Sequence, residues 1–203
     1  MSTIDKLNLA INDVRSWMIK SKLKINDDKS EFIVLIQPYK QGNVKDLQLQ
    51  IGQCSVATSS QAKNLGVIFD CGLTMEKQIS SVCRSLFFHL WNIGSVRRYL
   101  TDSSTAQLIH SLVTTRVDYC NALLYGLPAT RIKKLQRVQN ARILTLTPKI
   151  AHITPVLYDL RWLPVKARIL FKVLVFAFKS YYRTASGFFC NLVYPAVTIS
   201  PFL

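Results

Sequence analysis

Residues 65–94 read LGVIFDCGLTMEKQISSVCRSLFFHLWNIG, and the spacing of apolar residues changes inside them. Leu65-Gly66-Val67-Ile68-Phe69 is a short β-prone run, predicted as a strand and ended by Asp70 and Gly72. From residue 73 onward the period is helical. Met75, Ile79, Val82, Leu86, Leu90 and Ile93 recur every three or four positions. This spacing predicts a helix, with Gly94 as its stop. The change of period separates a strand-containing first part from a helical second part.

Upstream, Leu7, Ile11, Val14, Trp17 and Met18 predict an amphipathic helix over about residues 3–21. Asn26-Asp27-Asp28 is turn chemistry, because short polar side chains bond the nearby backbone. Phe32 to Ile36 reads as a strand stopped by Pro38. Leu47, Leu49 and Ile51 alternate with polar residues, and Gly52 breaks the run. Cys54 to Ala57 fits the return strand of a hairpin. Downstream, Thr101 is a predicted N-cap for a long helix over 102–124, with Gly126 after it. A further helix begins near Pro128, with Ile132, Leu135 and Val138 on its apolar face, and stops at Pro148. Pro155 opens a short helical turn through Leu160. Pro164 reads as the first residue of a last helix, which runs to about Tyr182. The expected class is α+β: a small antiparallel sheet with one helix over 1–72, a larger all-helical unit over 73–183, and an irregular tail over 184–203.

The chain has 203 residues, 26 Lys and Arg, and 11 Asp and Glu, a formal net charge of +15. Residues 1–70 hold nine cations against seven acids, and residues 71–203 hold seventeen against four. An ordinary neutral metabolic domain is not the expectation. Such asymmetry points the second part toward a polyanion, usually nucleic acid. Arg131, Lys133, Lys134, Arg137 and Arg142 place five cations in twelve residues with no acid among them. Surface helices normally mix both signs, and arginine binds phosphate in bidentate fashion. A solvated charged face is the bland alternative.

Other chemistry finds little support. Cys54, Cys71, Cys83, Cys120 and Cys190 never reach C-x-x-C spacing, and His89, His110 and His152 add no zinc-like pattern. Free, reduced thiols are expected. No serine elbow or Gly-rich phosphate loop occurs. Two-metal catalysis needs carboxylates that converge on both ions. The adjacent pair, Asp27 and Asp28, is read as turn-forming. Neither metal site nor cofactor is expected. The first residues, MSTIDKLNLAINDVRSW, lack the apolar core of a secretory signal. Ile169 to Phe178 is about half the length of a bilayer span and carries Lys172. The expectation is an intracellular protein, nuclear or cytoplasmic, that does not engage a membrane.

Several strings together resemble the reverse transcriptases of non-long-terminal-repeat retrotransposons. Trp17-Met18 followed by Leu23-Lys24-Ile25-Asn26-Asp27-Asp28-Lys29-Ser30-Glu31-Phe32 is similar to the segment after that family's catalytic hairpin. Asn64-Leu65-Gly66-Val67 with Asp70 is similar to the strand that follows. Arg116-Val117-Asp118-Tyr119-Cys120-Asn121, Leu124-Tyr125-Gly126-Leu127-Pro128 and Leu135-Gln136-Arg137-Val138-Gln139-Asn140 resemble its helical thumb. So do His152-Ile153-Thr154-Pro155-Val156-Leu157 and Trp162-Leu163-Pro164-Val165. The resemblance covers about residues 5–193. It departs at Ser21, where the family usually has Asn, and at Arg142, which follows Ala141 without the family's longer alanine run.

The resemblance implies an RNA-directed DNA polymerase whose magnesium-binding aspartates include a pair in an aromatic-Ala-Asp-Asp hairpin. That string does not occur here, so a palm remnant and thumb without catalysis are expected. Magnesium would belong only to an intact polymerase. The resemblance also makes Lys29 a candidate general acid toward leaving pyrophosphate. Leu65 and Gly66 are assigned to the primer-gripping strand. A surface lysine beside a turn, and a glycine at a β-bulge, are the structural alternatives. The expected partner is RNA or an RNA–DNA duplex, with no small-molecule substrate. A host-recruited helical interaction module and a nonfunctional remnant are the competing readings.

Overall fold

The computed structural model describes residues 3–36, 47–52, 54–144, 162–191 and 193. It divides into two compact units, residues 1–78 and 79–203. Over these bounds the first unit holds ten cations against eight acids, a net of +2, and the second sixteen against three, a net of +13. The architecture is α+β.

In the first unit, helix α1 (Thr3–Lys20) precedes a short 3-10 turn at Asp27–Lys29. A three-stranded sheet has the order β1 (Phe32–Ile33), β3 (Cys54–Ser59), β2 (Gln48–Ile51). Strands β2 and β3 form the expected antiparallel hairpin, with Ile51 opposite Cys54. Strand β1 lies parallel to β3, with Phe32 opposite Thr58, so the sheet is mixed. Only two of the five residues expected in that strand are extended in register. The burial of Leu49 and Ile51 between exposed Gln48 and Gln50 follows the period-two rule.

A second hairpin corrects the reading of residues 65–69. Strand β4 (Gln61–Asn64) pairs antiparallel with β5 (Val67–Asp70), and Leu65 and Gly66 are the two turn residues between them. Both have positive φ, 47° and 83°. That is a type I′ turn, whose twist matches the flanking strands. Glycine meets this requirement freely, whereas leucine meets it with strain. Gln61-Ala62-Lys63-Asn64 is too polar to announce itself as a strand.

Asp70 closes this hairpin and organises the next turn. Its carboxylate accepts from the Thr74 amide (2.8 Å), the Thr74 hydroxyl (3.1 Å) and the Met75 amide (2.8 Å). Leu73 and Met75 both hold positive φ in this loop. Helix α2 (Glu76–Val96) follows and runs through Gly94 instead of stopping there.

The second unit is helical. Ile79, Leu86, Leu90 and Ile93 are the buried residues of α2. Helix α3 (Asp102–Ile109) starts as expected, with the Thr101 hydroxyl accepting from the Ser104 amide at 3.2 Å. The single long helix expected over 102–124 is broken. It widens into a π-turn at His110–Thr114, resumes as α4 (Thr115–Asp118), and turns at Cys120, whose φ is +52°. Asn121–Leu124 then form a 3-10 turn. Helix α5 spans Ala129–Leu144, and α6 spans Val165–Tyr181 with Pro164 at its N-cap, so the helix begins one residue later than expected. Helix α7 (Gly187–Cys190) stacks Phe189 on Phe176 of α6 at 5.9 Å. The stop at Pro148 and the turn at Pro155–Leu160 lie outside the described residues. Leu86, Ile109, Val113 and Val138 are wholly buried and mark the centre of this core.

Candidate nucleic-acid interface

Helix α5 carries the five cations, and its burial pattern sorts them. Leu135, Val138 and Gln139 are buried. Lys133, Lys134 and Arg137 lie on the exposed side, one helical turn in length. Arg131 is half-buried and sits with Leu135 and Val138 on the inward side by the 100° step of the helix. Arg142 lies within α5, and its side chain is outside the described residues. Three of the five cations therefore form one accessible face. Among the described residues no ion pair involves Lys133 or Arg137. Lys134 lies close enough to Cys83 on α2 to oppose the burial that pushes that thiol up.

The opposite side of α5 holds a polar clamp. Gln136 donates to the side-chain oxygens of Gln139 (3.0 Å) and Asn140 (2.9 Å). Its own oxygen accepts from the Val165 amide at 3.0 Å. The first amides of a helix have no partner within it, and Gln136 supplies one to α6. Gln139, 2% exposed, donates to the Leu163 carbonyl at 2.8 Å. Arg168 donates to the same carbonyl through Nε at 2.9 Å. It also pairs with Asp118 at 2.7 Å, and Asn121 donates to that carboxylate at 3.4 Å. Three separate sequence strings, around 116–121, 135–140 and 162–165, thus converge on the start of α6. Sequence reading singled out these strings without assigning them a contact. The available signal was two glutamines three apart on the apolar side of a basic helix.

Asp118, Asn121, Leu163, Arg168, Phe171 and Lys172 line a cavity of about 280 Å³ beside this clamp. A larger, mostly apolar cleft of about 650 Å³ lies between α5 and α6. Leu124, Ile132, Ile169 and Leu170 are in its lining, together with Lys133 and Lys166.

The remaining candidates lie in the first unit. Leu65 and Gly66 are exposed turn residues, not part of a strand. Lys29 is exposed at the end of the 3-10 turn. Asp27 and Asp28 do not converge. Asp27 pairs with Arg15 at 2.6 Å, while Asp28 is exposed. Gly52 fits closely over that ion pair, since a Cβ there would sit 2.6 Å from the Arg15 guanidinium. All five cysteines are free thiols. No helix among the described residues is long and apolar enough to cross a membrane. Compared with known proteins, the chain matches no family model, no curated protein and no solved structure.

Proposed function

We propose that the chain is the late-palm and thumb portion of a retrotransposon-type reverse transcriptase, and that its own activity is binding of an RNA–DNA duplex without polymerisation. The observation that carries the binding is the exposed Lys133–Lys134–Arg137 face on a helix without an acid. The +13 charge of residues 79–203 supports it. Clustered cations release counterions from a nucleic acid on binding, and this drives sequence-independent affinity. The resemblance of the strings quoted above supports the polymerase origin. The packing of three of them, around 116–121, 135–140 and 162–165, gives those residue types a common structural reason. Polymerisation is not proposed because the 203 residues contain no aromatic-Ala-Asp-Asp string and Asp27 is committed to Arg15.

Fluorescence anisotropy with a labelled RNA–DNA hybrid across a salt series tests the reading. Binding should weaken linearly on a log–log plot. Lys133→Ala and Arg137→Ala should each reduce the salt slope by about one. Affinity should fall equally for unrelated sequences. Binding that is absent, or insensitive to salt, would refute it. Primer extension with magnesium should yield no product.

A further inference from the structure

Helix α6 is apolar on two sides. Val165 and Ile169 face the core. On the other side Leu170, Leu174, Phe178 and Tyr181 follow one another at helical spacing, between 44% and 61% exposed. A helix apolar all round is normally covered all round. This outer row spans about 16 Å along the axis, and at Leu170 it runs into the 650 Å³ cleft between α5 and α6. We infer that this continuous surface is the docking site for an acidic amphipathic helix of a partner protein.

Charge selects that occupant. Lys166, exposed, borders the outer row and shares the lining of the cleft with Lys133. No Asp or Glu occurs anywhere in residues 160–203. A second copy of the chain would bring like charges onto like charges. A nucleic acid would meet the lysines but leave the apolar row in water. A lipid surface could use both charge and apolar residues, but it has no ridges. Residues spaced i, i+4, i+8 and i+11 present ridges and grooves that receive another helix. Such a helix would place large apolar anchors at i, i+3 or i+4, and i+7. Its flank would carry Glu or Asp against Lys166, as flanking charges do in coiled coils.

The test is selection from a displayed library of helical peptides of about 16 residues, some 24 Å long, against the whole chain. Expected winners have Leu, Phe or Trp along one face and acids beside it. Leu174→Gln, an exposed position whose change spares the core, should weaken a winning peptide about tenfold. Lys166→Glu should weaken it too, and a Glu→Lys change in the peptide should restore binding. RNA–DNA binding of Leu174→Gln should match the parent. Selection of basic peptides, or of none, overturns the inference. So do winners indifferent to Leu174→Gln. A Leu174-dependent dimer in light scattering, or Leu174-dependent capture by phosphatidylserine vesicles without peptide binding, would assign the surface to those occupants instead.

Discussion

Asp70 shows how one side chain can hold an unfavourable backbone. Leucine and methionine both dislike positive φ, yet Leu73 and Met75 adopt it in consecutive turns. Burial alone would raise the Asp70 carboxyl. Hydrogen bonds from Thr74, Met75 and Gly72 outweigh burial and hold it below the ordinary carboxylate value. A carboxyl with a depressed folded pKa stabilises the fold above its unfolded pKa and loses that contribution as pH falls through the folded one. Urea unfolding should therefore show a loss of stability below about pH 4 that is smaller in Asp70→Asn. Asp70→Ala should cost about 1 kcal/mol at neutral pH, as loss of a cap does. The sequence marked Asp70 as a strand stop. It could not show the cap, because the acceptor's partners depend on a loop path that no periodicity encodes.

Elements were legible where one period ran unbroken. The spacing from Met75 to Ile93 and the hydroxyl of Thr101 were enough to place α2 and the start of α3. Legibility failed where local chemistry competed with period. The apolar string Leu65 to Phe69 concealed a turn, because β4 pairs through its backbone and offers no apolar alternation. Leu65→Asn should stabilise that hairpin by about 1 kcal/mol, since asparagine tolerates the left-handed region. A rise in the urea midpoint with an unchanged slope would show it. The helix expected over 102–124 broke for a different reason. Asp118, beside the turn at Cys120, is engaged by Arg168, a residue fifty positions away that no local pattern reveals. The clamp on α5 is also long-range. Gln139→Ala would leave the Leu163 carbonyl with one donor fewer and open a buried gap. It should cost about 1–3 kcal/mol, measurable by thermal unfolding, while the salt slope for nucleic acid stays unchanged.

At the scale of the whole molecule, packing is uneven. Leu49, Ile51, Val67 and Met75 are the buried hydrophobic residues described within 1–78, against twelve within 79–203. Helix α1 buries no residue, and Trp17 is 62% exposed. Opening free energy follows local packing. In hydrogen exchange, amides of α1 should exchange fastest among the helices longer than two turns, and those of α2 around Leu86 slowest. Equal protection in both would contradict this account. The charge asymmetry that pointed to a polyanion survives at the structural boundary, because the acids cluster before residue 79. The cationic residues were legible from composition. Their division into an outward face and an inward Arg131 required the helix's rotation, which buried Leu135, Val138 and Gln139 fix.

The parallel placement of β1 imposes an order in time. Phe32 pairs with Thr58, across the whole β2–β3 hairpin. During synthesis β1 leaves the ribosome before its partner exists. The hairpin can close locally within microseconds, but β1 has two residues of ladder and nothing to join until then. Strand β1 is thus the last piece of its sheet to assemble and the first to be released, so premature termination before residue 54 would leave it unpaired.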